Sequence, residues 1–155
     1  MAECANKYGN KAVHYMVAEA TCEADSKALA DFTFAKFGKI DIVVLAAGIA
    51  AHSLVKDISD LNIARKVMEV NYMGFVMLAK YVLPGLRQSK GQFVVISSGS
   101  ALMPLPLRAP YCASKAATNM FFKTISIEEP NVSVSILCPD SFTGSNFRNN
   151  SLIKS

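Results

Sequence analysis

Residues 96–116, ISSGSALMPLPLRAPYCASKA, decide how this chain reads. The run in front of them, Gln92 to Ile96 (QFVVI), has the unbroken apolar composition of a buried parallel strand, and it ends where the polar side chains of Ser97 and Ser98 emerge. Ligands in open α/β sheets sit at that end of a strand. Past a loop dense in Pro and Leu, Tyr111-Cys112-Ala113-Ser114-Lys115 opens an Ala-rich helix, so the phenol and the ammonium lie four residues apart on one face. An ammonium close to a phenol stabilises the phenolate and draws its pKa down from about 10 toward neutrality, which would fit Tyr111 for proton transfer.

Working upstream, Ile58 to Ser89 carries Val67, Val70, Gly74, Met77, Leu78 and Tyr81 at three- and four-residue steps, the helical period, and Pro84 is expected to bend or end that run. Asn71 falls among these apolar neighbours, where a polar side chain needs an internal hydrogen bond. Asp41 to Ala46 (DIVVLA) is a strand running into Ala47-Gly48. Glu23 to Phe37 is a helix with Gly38 as its stop, Ala12 to Ala18 (AVHYMVA) is a further strand, and Ala2 to Tyr8 is the tail of a helix. Downstream, Val132 to Cys138 (VSVSILC) is a strand broken by Pro139, and the residues beyond Gly144 offer no convincing element. Four strands alternating with helices specify an α/β fold with a parallel sheet and right-handed crossovers.

At 155 residues with 52% apolar content the chain is long enough for a core of its own, and we expect one domain over 1–144 with a polar tail at 145–155. The net charge of +4 comes from scattered lysines without a basic run, which argues against nucleic acid as a partner. Cys4, Cys22, Cys112 and Cys138 lack the spacing of a zinc site or disulfide frame, so no metal is expected. No stretch has the length and apolarity of a membrane span or the core of a signal peptide, so the chain is expected to be soluble. His14 and His52 have no spaced partners and read as structural or surface residues.

Together Asn71, Ser98, Tyr111 and Lys115 resemble the catalytic tetrad of the short-chain dehydrogenases/reductases, Ser98 standing thirteen residues before Tyr111. The segments MEVNY (68–72), QSKGQFVVISS (88–98), YCASKAA (111–117) and NVSVSILC (131–138) are most similar to the 11-beta-hydroxysteroid dehydrogenase type 1 group. The resemblance implies a Rossmann-like doubly wound sheet and an NADP- or NAD-dependent oxidoreductase. In it Tyr111 is the acid or base, Ser98 bonds the substrate oxygen, Lys115 bonds the nicotinamide ribose, and Asn71 marks a helix irregularity. Ser97 and Ser100 are alternatives to Ser98. Cofactor contacts are implied at Ala46, Ala47, Gly48, Tyr111, Lys115, Pro139 and Phe142, although the family's Asn-Asn-Ala-Gly is Leu45-Ala46-Ala47-Gly48 here. The loop Leu102 to Leu107 (LMPLPL) either borders a small lipophilic substrate, a steroid among the candidates, or packs on the core.

The family's glycine-rich phosphate turn does not occur in this sequence. By resemblance the chain begins just before the third strand and lacks the first two strands and the last, an incomplete sheet with an open edge. That edge is expected to close by direct pairing of the first two strands present, or by a second copy in a homo-oligomer. Two functional readings follow: an oxidoreductase acting on a hydroxyl or carbonyl group, or a fragment that keeps the tetrad without gripping dinucleotide and acts by association. The resemblance also implies an endoplasmic-reticulum anchor upstream.

Overall fold

The computed structural model describes residues 13–140 and 151–153. Its elements are helix α1 (Glu23–Phe37), strand β1 (Ile42–Leu45), helix α2 (Asn62–Met68), a π-helical turn (Glu69–Met73), helix α3 (Gly74–Ser89), strand β2 (Gln92–Ile96), helix α4 (Ala109–Glu128) and strand β3 (Ser133–Leu137). Short 3₁₀ turns occupy Val55–Asp57 and Gly99–Ala101. The strands form one parallel sheet in the order β1-β2-β3, with Val43 opposite Phe93 and Phe93 opposite Val134.

Local chemistry accounts for the helix limits. Glu23 and Asp25 in the first turn of α1 and Lys36 in the last complement the helix dipole. Gly38, at φ 72°, closes α1 by donating its N–H to the Phe34 carbonyl at 2.7 Å. Of the two outcomes expected at Pro84, a bend or an end, the second does not occur: α3 runs through it to Ser89, and Lys90 closes the helix in a left-handed conformation at φ 52°. Val82 and Leu86, 4% and 0% exposed, anchor both sides of the proline in the core, so packing outweighs the lost hydrogen bond.

Among the described residues the sheet is covered on one face. Val43, Leu45, Phe93, Val95, Val134 and Ile136 point into a core completed by Ala30 of α1, Phe75, Ala79, Val82 and Leu86 of α3, and Phe122 and Ile125 of α4. Phe93 and Phe122 meet edge to face at 5.3 Å. The alternate residues face the other way, and Ile42, Val44 and Leu137 are 61%, 59% and 49% exposed.

The sheet therefore has three strands among the described residues, not four. Residues 13–18 form no strand. Tyr15 and Val17 are 55% and 88% exposed and β1 pairs with β2 alone among described strands, so the β-branched and aromatic composition there has no ladder to join. His14, exposed, meets Phe37 edge to face at 5.4 Å. The helix read at Ala2 to Tyr8 lies outside the described residues. Within the segment read as a polar tail, Ser151 forms a parallel bridge with Ala50, and the Leu152 N–H donates to the Ala50 carbonyl at 2.8 Å.

Candidate active site

The loops after all three strands meet around a cavity of about 420 Å³. Ala46, Gly48, Ala50 and His52 enter after β1, Ile96 to Ser100 from the end of β2, and Pro139 and Asp140 after β3. Met103, Leu105 and Arg108 close one side, and Tyr111 and Lys115 project from the first turns of α4.

Ser98 turns out of β2 in an extended conformation and accepts a hydrogen bond from the Ser100 N–H at 3.1 Å, which starts the 3₁₀ turn. Its hydroxyl is hydrogen-bonded to the Tyr111 phenol. Burial pushes that phenol above its ordinary pKa of 10, while the bond to Ser98 and the Arg108 guanidinium oppose the rise. Tyr111 is therefore a protonated acid at neutral pH.

Lys115 is 3% exposed and donates from Nζ to the Ile96 carbonyl at 2.9 Å. Its ammonium lies over the rings of Phe75, at 5.6 Å, and Tyr111, at 6.0 Å. Burial brings its pKa down to about 8, with Cys138 opposing. The cation that eases ionisation of Tyr111 is thus Arg108, a residue that the helical spacing of Tyr111 and Lys115 does not reveal.

Asn71, fully buried, lies behind the cavity in the π-helical turn. Its Oδ1 accepts from the Ile49 N–H at 2.8 Å, and Nδ2 donates to the Ile49 carbonyl at 2.9 Å and to Ser114 Oγ at 3.0 Å. Thr118 Oγ1 donates to the Asn71 carbonyl at 3.0 Å, and Ser114 Oγ to the Tyr111 carbonyl at 2.8 Å. This network fixes the loop after β1 and the start of α4 relative to one another. Gly74, which ends the π turn, passes so close to the backbone of Ala20 that a Cβ would stand 2.7 Å from its carbonyl oxygen.

Of the residues singled out from sequence, Ser98, Tyr111, Lys115, Ala46, Gly48 and Pro139 line the cavity; Ala47 is not part of its wall. Phe142 lies outside the described residues. The loop 102–107 borders the cavity through Met103 and Leu105. Ser97 and Ser100 also line it, each 4% exposed, and neither hydroxyl has a partner among the described residues. His52, read as structural or surface, stands in the wall with Nδ1 3.0 Å from Ser151 Oγ.

The match to known proteins follows this geometry. The short chain dehydrogenase family matches residues 1–152. The chain belongs to that family. It is 34% identical over 140 residues to the 11-beta-hydroxysteroid dehydrogenase A of Sesamum indicum, covering 90% of this chain and 40% of that protein. It is 36% identical over 140 residues to the 11-beta-hydroxysteroid dehydrogenase-like 3 of Arabidopsis thaliana, with 90% and 45% covered. The chain thus spans less than half the length of these relatives. Among solved structures, a short-chain dehydrogenase/reductase of Saccharomyces cerevisiae superposes with a TM-score of 0.88 at 29% identity, over 96% of this chain and 58% of that one. A family member from Burkholderia phymatum, solved in complex with NAD, gives 0.80 at 26% identity, over 86% and 49%. No described helix is long and apolar enough to cross a membrane.

Proposed function

We propose that this cavity serves NAD(P)(H)-dependent oxidoreduction at a hydroxyl or carbonyl group of a small lipophilic substrate, with Asn71, Ser98, Tyr111 and Lys115 as its working residues. The observation that carries the reading is the hydrogen bond between the Tyr111 phenol and Ser98 in the wall of one cavity that also holds Lys115. A carbonyl oxygen taking the place where these two hydroxyls meet would receive a hydrogen bond from Ser98 and a proton from Tyr111. Bound dinucleotide would supply the hydride in reduction or accept it in oxidation. The residues present suit its nicotinamide end: Ala46 and Gly48 keep the wall after β1 free of bulk, Pro139 faces them after β3, and Ser97 offers a buried hydroxyl without a partner among the described residues. Lys115, charged below about pH 8, would orient the ribose hydroxyls. Met103 and Leu105 give the substrate side its apolar character. The names of the plant relatives make a steroid one candidate substrate.

A second reading, a chain that keeps the tetrad but grips dinucleotide poorly and acts by association, is favoured by one fact: no glycine-rich phosphate turn occurs in the sequence. Fluorescence titration of the chain with NADPH separates the two. Binding with micromolar Kd supports oxidoreduction by this chain, and failure to saturate at millimolar NADPH favours the second. NADPH oxidation with a cyclic ketone is expected to vanish in Tyr111→Phe; undiminished turnover in that variant would overturn the role given to Tyr111.

A further inference from the structure

Beyond the groups that the proposed reaction uses, the polar side chains of the cavity wall are His52, Ser100, Arg108 and Asp140. Arg108 directly precedes α4, partly buried, and its backbone carbonyl accepts the Cys112 N–H at 2.8 Å. That bond fixes the root of the side chain, and its guanidinium has no ion pair among the described residues. Arg108 lines the same cavity as Ser98 and Tyr111, and its charge favours ionisation of the Tyr111 phenol. Ser100 is 4% exposed, anchored through its N–H to Ser98, and its hydroxyl finds no partner among the described residues. Asp140 is the acidic residue of the wall, and it is not a free charge. Between these groups the lining is apolar, through Ile96, Met103 and Leu105.

A guanidinium is charged at every working pH, and in an apolar wall it loses hydration that a bound anion restores through two parallel N–H···O bonds. A buried hydroxyl without a partner likewise loses its hydration with nothing in return until an acceptor arrives. We infer that the substrate carries a carboxylate in addition to its reacting carbonyl or hydroxyl, held by Arg108 with the Ser100 hydroxyl as a further donor. The substrate class is then an amphipathic keto or hydroxy acid: an apolar body along Met103 and Leu105, with an acid group near the carbonyl that meets Ser98 and Tyr111. This inference rests on the reading above for the identity of the reacting group, but the carboxylate contact needs no turnover to be seen. The same guanidinium would also suit a dinucleotide phosphate; its position straight after the apolar loop 102–107 favours the substrate.

Calorimetric titration of the full chain with levulinate and with dehydrocholate, each beside its methyl ester, tests the inference. At least one free acid should bind roughly 10-fold or more tightly than its ester, the range of one charge-assisted hydrogen bond. That gap should close in Arg108→Met, persist in part in Arg108→Lys, and narrow in Ser100→Ala. Equal binding of acid and ester, no binding of either pair, or an unchanged gap in Arg108→Met overturns it. So does inorganic pyrophosphate whose affinity falls in Arg108→Met while that of the keto acids does not. An acid preference without any NADPH oxidation would sustain the carboxylate site while removing the oxidoreductase reading.

Discussion

Asn71 Nδ2 donates to Ser114 Oγ at 3.0 Å, joining a π-helical turn to the helix that presents Tyr111 and Lys115. A π turn holds one residue more than the α-helical pitch allows, and here the extra residue turns a carboxamide inward to the backbone of Ile49. The same carboxamide meets both the loop after β1 and helix α4, so the width of the cavity between them depends on it.

Removing that carboxamide should therefore cost stability and geometry together. Asn71→Ala leaves the part-buried Ile49 N–H and carbonyl without their partner, and we expect a loss of about 2–4 kcal/mol, at 1–3 kcal/mol for each unmet group less some relaxation. Urea denaturation measures it. The double variant with Ser114→Ala should show a coupling of about 0.5–2 kcal/mol, because the two residues share a hydrogen bond. A strictly additive pair would mean that the network is not cooperative.

Tyr111 should hold its proton well into the alkaline range. Burial disfavours the phenolate more than Ser98 and Arg108 favour it, so the folded phenol titrates above 10. Tyrosine labelled at ¹³Cζ, assigned by comparison with Tyr111→Phe, reads this directly. Arg108→Met should move the midpoint higher, since a cation that stabilises the phenolate is gone. A midpoint that falls in Arg108→Met would reverse the electrostatic assignment.

Lys115 gives stability a pH dependence of opposite sign to that of Tyr111. Its folded pKa is about 8, below the 10.5 of an exposed lysine, so between those values the unfolded chain binds more protons and stability rises with pH. For a group this buried the gain between pH 7 and pH 9.5 should be about 1–3 kcal/mol, and it should be absent in Lys115→Met. Above pH 10 the raised Tyr111 pKa turns the curve down, because the unfolded chain then loses a proton that the folded chain keeps. Chemical denaturation at stepped pH, wild type against Lys115→Met, resolves both limbs. Parallel profiles would show that the buried amine is not shifted.

Much of this was legible in the residues themselves, for reasons that also explain where reading stopped. The apolar run Gln92 to Ile96 is a strand over those same residues because a continuous apolar segment followed by two serines fits little else. The four-residue step from Tyr111 to Lys115 put both side chains in one cavity wall because helical pitch leaves no alternative. The π turn left no trace in the periodicity, since an inserted residue preserves the apolar content and changes only the phase; it was the family resemblance that implied a helix irregularity at Asn71, where the π turn lies. Pro84 does not end its helix because a breaker acts through a local hydrogen bond, whereas Val82 and Leu86 act through tertiary packing. Arg108 and His52 have no local pattern, since what brings them to the cavity is chain geometry across three loops. Ala12 to Ala18 shows the converse, strand composition without a neighbouring strand among the described residues.

Among the described residues only one face of the sheet is covered, which allows a last comparison between neighbours on a single strand. Leu45 is 2% exposed and packs in the core, while Val44 beside it is 59% exposed on the open face. A parallel sheet ordinarily covers both faces, and then either position would be equally intolerant. Here Leu45→Ala should cost about 2–5 kcal/mol, as a cavity opened among Phe75, Phe93 and Val95, whereas Val44→Thr should stay within about 0.5 kcal/mol. Thermal or urea melts of the two variants in this chain decide it. A large loss from Val44→Thr would mean that something covers the open face in solution, and the same measurement across a range of protein concentrations would tell whether a second copy does so, since only then would the loss depend on concentration.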